Sequence, residues 1–349
     1  MNINFPNFNL NISYLPKAFN VFGYEITIYG IILAVSLMLG TAVIVLEAKR
    51  KHQSTNKYLG MIILALIGGV IGARAYYVLQ HLDYYKNHVQ DIYHVTGGGF
   101  SFYGGLLVGM LMVGVYCLIA KIRFGEALDT LTPGLLLSQV FAAWGNLFNR
   151  EAFGEYTNSI FAMQIPLTDV RGQEVTELMN KNLVDIDGVS YIQAHPLFLY
   201  ESIWCLLLML VILGISRKKR FSGEVFLKYL AGFSFARGIL EWFRTDKVGM
   251  FGSKISLTMI VSFFAFIISL IVLSVRGTMA NRRERVRKQR REMIYQEEER
   301  AEEEAARKEQ EKIREQESEK QKALEEELKQ RKEAENQEYI AEMEEKKKN

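Results

Sequence analysis

The apolar and polar positions of this chain fall into two regimes. Up to about residue 275, apolar stretches of about 20 residues recur, each long enough to cross a membrane as a helix. Four carry no charge, at 26–46, 95–120, 130–149 and 255–275. Three more hold isolated charges: 58–82 with Arg74, 196–216 with Glu201, and 225–243 with Lys228, Arg237 and Glu241. The pattern predicts an all-α polytopic membrane protein with seven transmembrane helices. From residue 276 onward the character changes. Glu, Lys, Arg, Gln and Ala dominate, with no Gly or Pro after Gly277. Pairs such as Glu304/Lys308, Glu325/Lys329 and Glu327/Arg331 stand four apart in the favourable order. Apolar residues do not recur at a and d positions, so a long, solvated, charged helix is expected and not a coiled coil.

Charge counts sharpen this division. Residues 1–275 hold 38 of the 81 charged residues and the last 74 positions hold 43. The first regime is therefore too apolar for a soluble domain, and the second has too little apolar surface to bury a core. Basic residues set the orientation. One set of loops carries Lys49, Arg50, Lys51 and Lys57, then Lys121 and Arg123, then Arg217–Arg220, then Arg276 to Arg291. The alternating set has Lys17, Lys86, a sparse 150–195 segment, and Arg244, Lys247 and Lys254. This places the N-terminus outside and the C-terminus inside. Residues 1–20 lack the basic and apolar regions of a cleaved signal peptide and read as an external lead-in. Residues 21–275 are the helical domain, with a small external, β-rich arm at 150–195 whose turns are signalled by Asp169–Gly172 and by Asp187-Gly188. Residues 276–349 are a cytoplasmic tail, and its basic stretch at 282–291 suits anionic membrane lipids better than nucleic acid.

Ionisable residues inside spans are costly and mark functional sites. At about 1.5 Å per residue, Arg74 lies about 24 Å along the second helix and Arg237 about 20 Å along the sixth, with Glu241 one turn further. Asn146, Asn149, Arg150 and Glu151 end the fourth, and Glu201 opens the fifth, so all fall in the outer half of the bilayer. Two readings suit this convergence: a polar cavity open to the outer leaflet, or local neutralisation, Arg237 by Glu241 and Arg74 by Glu201. Residues 96–105 contain five glycines, which suit either close approach of a ligand or a tight helix contact. Ser101 and Tyr103 add hydroxyls there, and Tyr29 and His195 stand at the same level. Cys117 and Cys205 lie in apolar runs without ligand spacing, which argues against a disulfide or a zinc site. No metal or cofactor is expected.

The run Trp144-Gly-Asn-Leu-Phe-Asn-Arg-Glu-Ala-Phe-Gly154 resembles the signature of the prolipoprotein diacylglyceryl transferase family, roughly Gly-Arg-x-Gly-Asn-Phe-x-Asn-x-Glu-x-x-Gly. Further segments match in order: Tyr29-Gly30, Gly72-Ala-Arg74 with Tyr77, the glycine segment ending at Gly105, His195-Pro-x-x-x-Tyr-Glu201, and Arg237-x-x-x-Glu-x-x-Arg244. The chain departs at Ala143, where the signature has arginine, and at Tyr103, where many members have histidine. The resemblance covers about 1–275 and implies transfer of the diacylglyceryl group of phosphatidylglycerol to the lipobox cysteine of a preprolipoprotein signal peptide, with a thioether formed and glycerol 1-phosphate released. It implies catalytic roles for Arg237, Tyr103, Tyr29, Asn146, Glu151 and Glu241. It implies substrate contacts for Arg74, Arg150, Arg244, Asn149, Gly154, Gly104, Gly105, Ser101, His195 and Glu201. Arg150 is the nearest charge to take the place of the arginine missing at 143. Two other classes stand beside this one: a relative that binds lipid or signal peptide without turnover, and a transporter with a midplane site, although no internal repeat supports the latter.

Overall fold

Helices dominate the computed structural model, which describes residues 2–94, 98–246 and 255–348. Of the predicted features, Thr96 and Gly97 of the glycine segment, and Lys247 and Lys254, lie outside the described residues. The helices are α1 (Ile28–Arg50), α2 (Thr55–Gln80), the single-turn α3 (Leu82–Tyr85), α4 (Phe102–Ala120), α5 (Phe124–Ala142), the short α6 (Gly145–Asn149) and α7 (Glu177–Lys181), α8 (Leu197–Ile215), α9 (Glu224–Phe243) and α10 (Leu257–Lys348). Five of them, α1, α2, α4, α8 and α10, are long and apolar enough to cross a membrane. Large apolar side chains lie exposed along these helices, Met38 and Leu118 among them, as expected where lipid and not water is the neighbour.

The two other long helices are more polar and more deeply placed. In α5 every residue from Ala127 to Gly134 is buried, so it is covered on all sides by its neighbours α1, α8 and α9. Its Asp129 is fully buried and compensated: it accepts from the amides of Gly223 (2.9 Å) and Phe226 (3.0 Å) and pairs with Lys219 at 3.2 Å. Helix contacts are made close by small residues. A Cβ on Gly134 would run into the Gly40 carbonyl of α1, and one on Gly104 would run into the Gly72 carbonyl of α2, each closer than 3.0 Å. Backbone-to-backbone packing of this kind replaces the hydrophobic drive that lipid does not supply.

Several boundaries differ from those the sequence predicts; α4, for one, starts at Phe102 and not at 95. The fourth predicted span, 130–149, is not one helix: α5 starts at Phe124, ends at Ala142, and is followed by a turn and α6. The lead-in is not separate from the arm either. Strands β1 (Ile3–Phe5) and β2 (Leu10–Ile12) join β5 (Met163–Pro166), β6 (Val184–Ile186) and β7 (Val189–Ala194) in one antiparallel sheet, ordered β2-β1-β5-β7-β6. Strands β3 (Ala18–Val21) and β4 (Tyr24–Thr27) form a hairpin that leads into α1. The β6–β7 turn is the predicted Asp187-Gly188, both residues with positive φ (52° and 80°), which suits the twist of a two-residue hairpin. Ile3, Phe5, Met163, Ile165 and Ile192 of the sheet share a core with Leu147, Phe153 and Phe198 of the bundle. That core fixes the segment after α5 against the start of α8.

The chain divides into two compact units after Ala280. The second consists of the remainder of α10. Its described side chains are exposed through residue 337, and ion pairs such as Glu284–Lys288 and Arg307–Glu311 stand four apart.

Candidate active site

Charges gather where α8 begins and α9 ends. Arg237 Nη1 donates to Glu201 at 3.2 Å, and its Nη2 lies 3.5 Å from Glu241. Glu241 is 4% exposed, too deep for an unpaired carboxylate. It is held from three sides: by Arg237, by Arg244 at 3.8 Å, and by the Ser256 hydroxyl, which donates at 2.9 Å. Ser256 Oγ also accepts from the Met259 amide in the first turn of α10, so one hydroxyl caps that helix and fixes the acid. Arg244, just past α9, makes a two-pronged pair with Asp246 at 2.5 and 3.0 Å. Glu201 therefore neutralises Arg237 and not Arg74, which corrects the local pairing open from the sequence.

The signature segment threads this cluster to the sheet. Gly154 donates to the His195 carbonyl (2.9 Å), Glu155 to that of Phe243 (2.8 Å), and His195 to that of Glu155 (3.2 Å). A Cβ on Gly154 would sit 2.8 Å from His195 Cβ, so only glycine fits. The His195 ring bonds Tyr200 through Nδ1 at 3.2 Å, and burial holds its pKa below the usual histidine range. Gly145 lies against the Tyr29 ring, where a Cβ would come within 2.6 Å, and Tyr29 is in electrostatic reach of Glu151 and Arg244. Glu151 accepts from Asn149 at 3.0 Å. Its backbone amide donates to the Asn146 carbonyl, while the half-buried Asn146 side-chain amide has no partner among the described residues. The structure thus brings together Arg237, Glu241, Arg244, Glu201, His195 and Gly154, and joins Tyr29, Asn146, Asn149 and Glu151 to them.

Other residues named by the resemblance are placed elsewhere. Arg74 donates from all three nitrogens to the carbonyls of Asp91, Ile92, His94, Gly98 and Gly99, at 2.6–3.1 Å. It also lies over the Tyr85 ring at 5.6 Å, so it staples the loop before α4. Arg150 is 4% exposed and turns into the sheet domain. It pairs with Asp169 at 3.0 Å and donates to the carbonyls of Phe148 and Leu15. Ala143 is buried and brings no charge, and the partners of Arg150 are protein groups, not a free site beside it. Gly104 and Gly105 serve the contact with α2, so this end of the glycine segment acts in helix packing. Ser101, which precedes α4, donates its amide to Ala73. Tyr103 exchanges a 2.8 Å hydrogen bond with Thr258 of α10.

Two arm residues at the site carry no signal in the sequence. Arg171 reaches Glu151 at 3.5 Å and Glu174 at 2.7 Å. Glu174 is buried, and its second oxygen has no hydrogen-bond partner. Burial first, then the nearby carboxylates of Asp246 and Glu151, hold its pKa above the ordinary range against the pull of Arg171 and Arg244. Only the folding of the arm onto the signature segment reveals them. Asp246, two residues from Arg244, is the one addition visible by spacing.

An apolar multi-helix bundle with buried arginine–carboxylate pairs gathered under a sheet defines a multi-pass membrane protein with a polar centre. Residues 16–275 match the family model for prolipoprotein diacylglyceryl transferase, and the chain belongs to that family. A protein of Pediococcus pentosaceus named phosphatidylglycerol–prolipoprotein diacylglyceryl transferase is 36% identical over 76% of this chain and 92% of its own. Proteins of the same name from Finegoldia magna (32% identical; 74% of this chain, 94% of its own) and Clostridioides difficile (34%; 66% and 84%) are also similar.

Proposed function

We propose that the chain is an enzyme that transfers the diacylglyceryl group of phosphatidylglycerol to the lipobox cysteine of preprolipoprotein signal peptides, the first step of lipoprotein maturation. In this reading α1, α2, α4, α5, α8, α9 and the start of α10 are seven spans of a bacterial plasma membrane, with the N-terminus and sheet outside and the tail inside. The polar cluster then faces the outer leaflet, where secreted substrates emerge.

The observation that carries the proposal is the linked set Arg237, Glu201, Glu241 and Arg244 at family motif positions. Bond formation between the cysteine sulfur and the glyceryl carbon breaks that carbon's bond to phosphate oxygen. The electron pair leaves with glycerol 1-phosphate, and the thiol proton must be removed. A guanidinium in a low-dielectric site stabilises the charge growing on the leaving phosphate. Arg237 has the placement this requires. It is held by two carboxylates at 3.2 and 3.5 Å, and about a quarter of its side chain is open. Glu241 and Glu201 orient it, and Arg244 adds a second positive charge. Tyr29, Asn146 and Glu151 supply polar contacts to the substrates. The nucleophile belongs to the peptide, consistent with both cysteines of this chain being buried. Arg237→Ala should lower turnover by about a hundredfold or more. Arg237→Lys should fail to restore it, because a two-pronged contact is lost. Wild-type turnover in a folded Arg237→Ala protein would overturn the assignment.

A further inference from the structure

The hairpin that leads into α1 carries an apolar face turned out of the protein. The pairing of β3 with β4 sets Phe19 opposite Ile26 and Val21 opposite Tyr24, with Ala18 opposite Thr27 and Asn20 opposite Glu25 between them. Successive pairs point to alternate sides of a two-stranded ribbon. One side is therefore wholly apolar or aromatic, and the other is small and polar with Glu25 as its charge. Phe19, Tyr24 and Ile26 are exposed, Tyr24 at 77%. At the tip, Phe22 is 98% exposed and shares left-handed backbone with Gly23 (φ 51° and 84°). Asn, Asp and Gly suit the first position of such a turn, and a bulky ring there is strained. The ring gains almost no packing within the protein in return, so the turn alone does not account for it.

Position supplies the partner. Thr27 ends β4 and caps α1 by accepting from the Gly30 amide at 3.2 Å, and the Ile28 amide donates to the Lys17 carbonyl at 2.9 Å. The strand ladder thus runs straight into a helix long and apolar enough to cross a membrane. Four strand residues reach about 13 Å, which keeps the tip beside the headgroup layer at this end of the helix. Aromatic side chains concentrate at that layer, where the ring enters lipid and a polar tip stays wet. Exposed apolar residues continue along α1 through Ile31, Leu33 and Val35. A convex tip that touches almost no protein suits a fluid lipid surface better than a shaped protein partner. We propose that the β3–β4 hairpin is a membrane-interface anchor, with Phe19, Val21, Phe22, Tyr24 and Ile26 entering the lipid at the start of α1 and with Asn20 and Glu25 facing water. The inference rests on the multi-pass character of the chain and not on the transferase reading.

The test compares Phe22→Cys with Asn20→Cys on the opposite side, each in the full chain and each carrying the same thiol-linked, environment-sensitive fluorophore. The shared label cancels the fluorophore's own affinity for lipid. Cys117 and Cys205 are buried, and wild type treated alike gives the background. Both substitutions replace exposed residues and should melt like wild type. The proteins are placed in nanodiscs of equal parts phosphatidylcholine and phosphatidylglycerol. A nitroxide near the head of the phosphatidylcholine acyl chain is the lipid quencher, and iodide is the aqueous one. The lipid nitroxide should quench position 22 several-fold more than position 20, and iodide should do the reverse. Equal lipid quenching at the two positions, or iodide access at 22 as free as at 20, would overturn the proposal. Shielding of position 22 from iodide that appears only when a signal peptide is added would overturn it too, because the face would then dock peptide and not lipid.

Discussion

Arg150 distinguishes a structural staple from a phosphate ligand inferred from signature position alone. Its guanidinium pairs with Asp169 at 3.0 Å, with the two side chains 1% and 5% exposed, and donates to two backbone carbonyls. Arg150→Ala would leave a buried carboxylate without a counter-charge and two acceptors without donors. Breaking a buried pair from one side costs about 3–5 kcal/mol, which for a domain of this size lowers the melting temperature by roughly 10 °C. Asp169→Asn added to Arg150→Ala should return part of the loss, because it removes the stranded charge, so the two effects should be non-additive. The assay is a thermal melt of the detergent-solubilised protein, with limited proteolysis of residues 150–195 as a local probe. If Arg150→Ala melts like wild type but loses turnover as Arg237→Ala does, Arg150 is a phosphate ligand and the staple reading is wrong.

Other perturbations follow from single contacts. Gly104→Val should destabilise by about 2–3 kcal/mol, since its Cβ would meet the Tyr76 Cβ and the Gly72 carbonyl closer than 3.0 Å; Gly214→Ala, with open space around it, should instead stabilise α8 by about 0.5–1 kcal/mol in the same melt. Glu174 has a pKa raised above 4.5 in the folded protein, so its contribution is fully present below pH 4.5 and is lost as pH rises through the raised value. Glu174→Gln should therefore match wild type at acid pH and exceed its melting temperature progressively towards neutrality; a constant difference across pH would refute the burial argument. Truncation after Ala280, where the first compact unit ends, should leave the melt and the transfer activity unchanged, and loss of either would make the tail part of the enzyme.

The long helices are legible in the sequence because uninterrupted apolar runs of about 20 residues have few other uses. Their ends are less so. Glu126 and Asp129 make the start of α5 look like a loop, and only tertiary partners such as Lys219 and the Gly223 and Phe226 amides allow Asp129 inside. Apolarity runs on through Leu147, but the chain turns after Ala142, and Arg150 and Ala152 take left-handed backbone (φ 55° and 57°). The lead-in strands β1 and β2 have three residues each, too short for alternation to show. At the site, depth along a helix places Arg237 and Glu241 together, because residues four apart share a face. Depth does not give direction: Arg74 and Arg150 stand at comparable depth but spend their donors on carbonyls and on Asp169. Arg171 and Glu174 carry no signal, since their place depends on how the arm returns to Glu151.

The most direct test of the transferase reading is product mass. The purified chain, reconstituted with phosphatidylglycerol of a single acyl composition, is incubated with a lipobox peptide and the peptide is weighed by mass spectrometry. The cysteine should gain one diacylglyceryl group, with release of an equal amount of glycerol 1-phosphate. A peptide of unchanged mass, with the protein folded and the lipid bound, would contradict that reading.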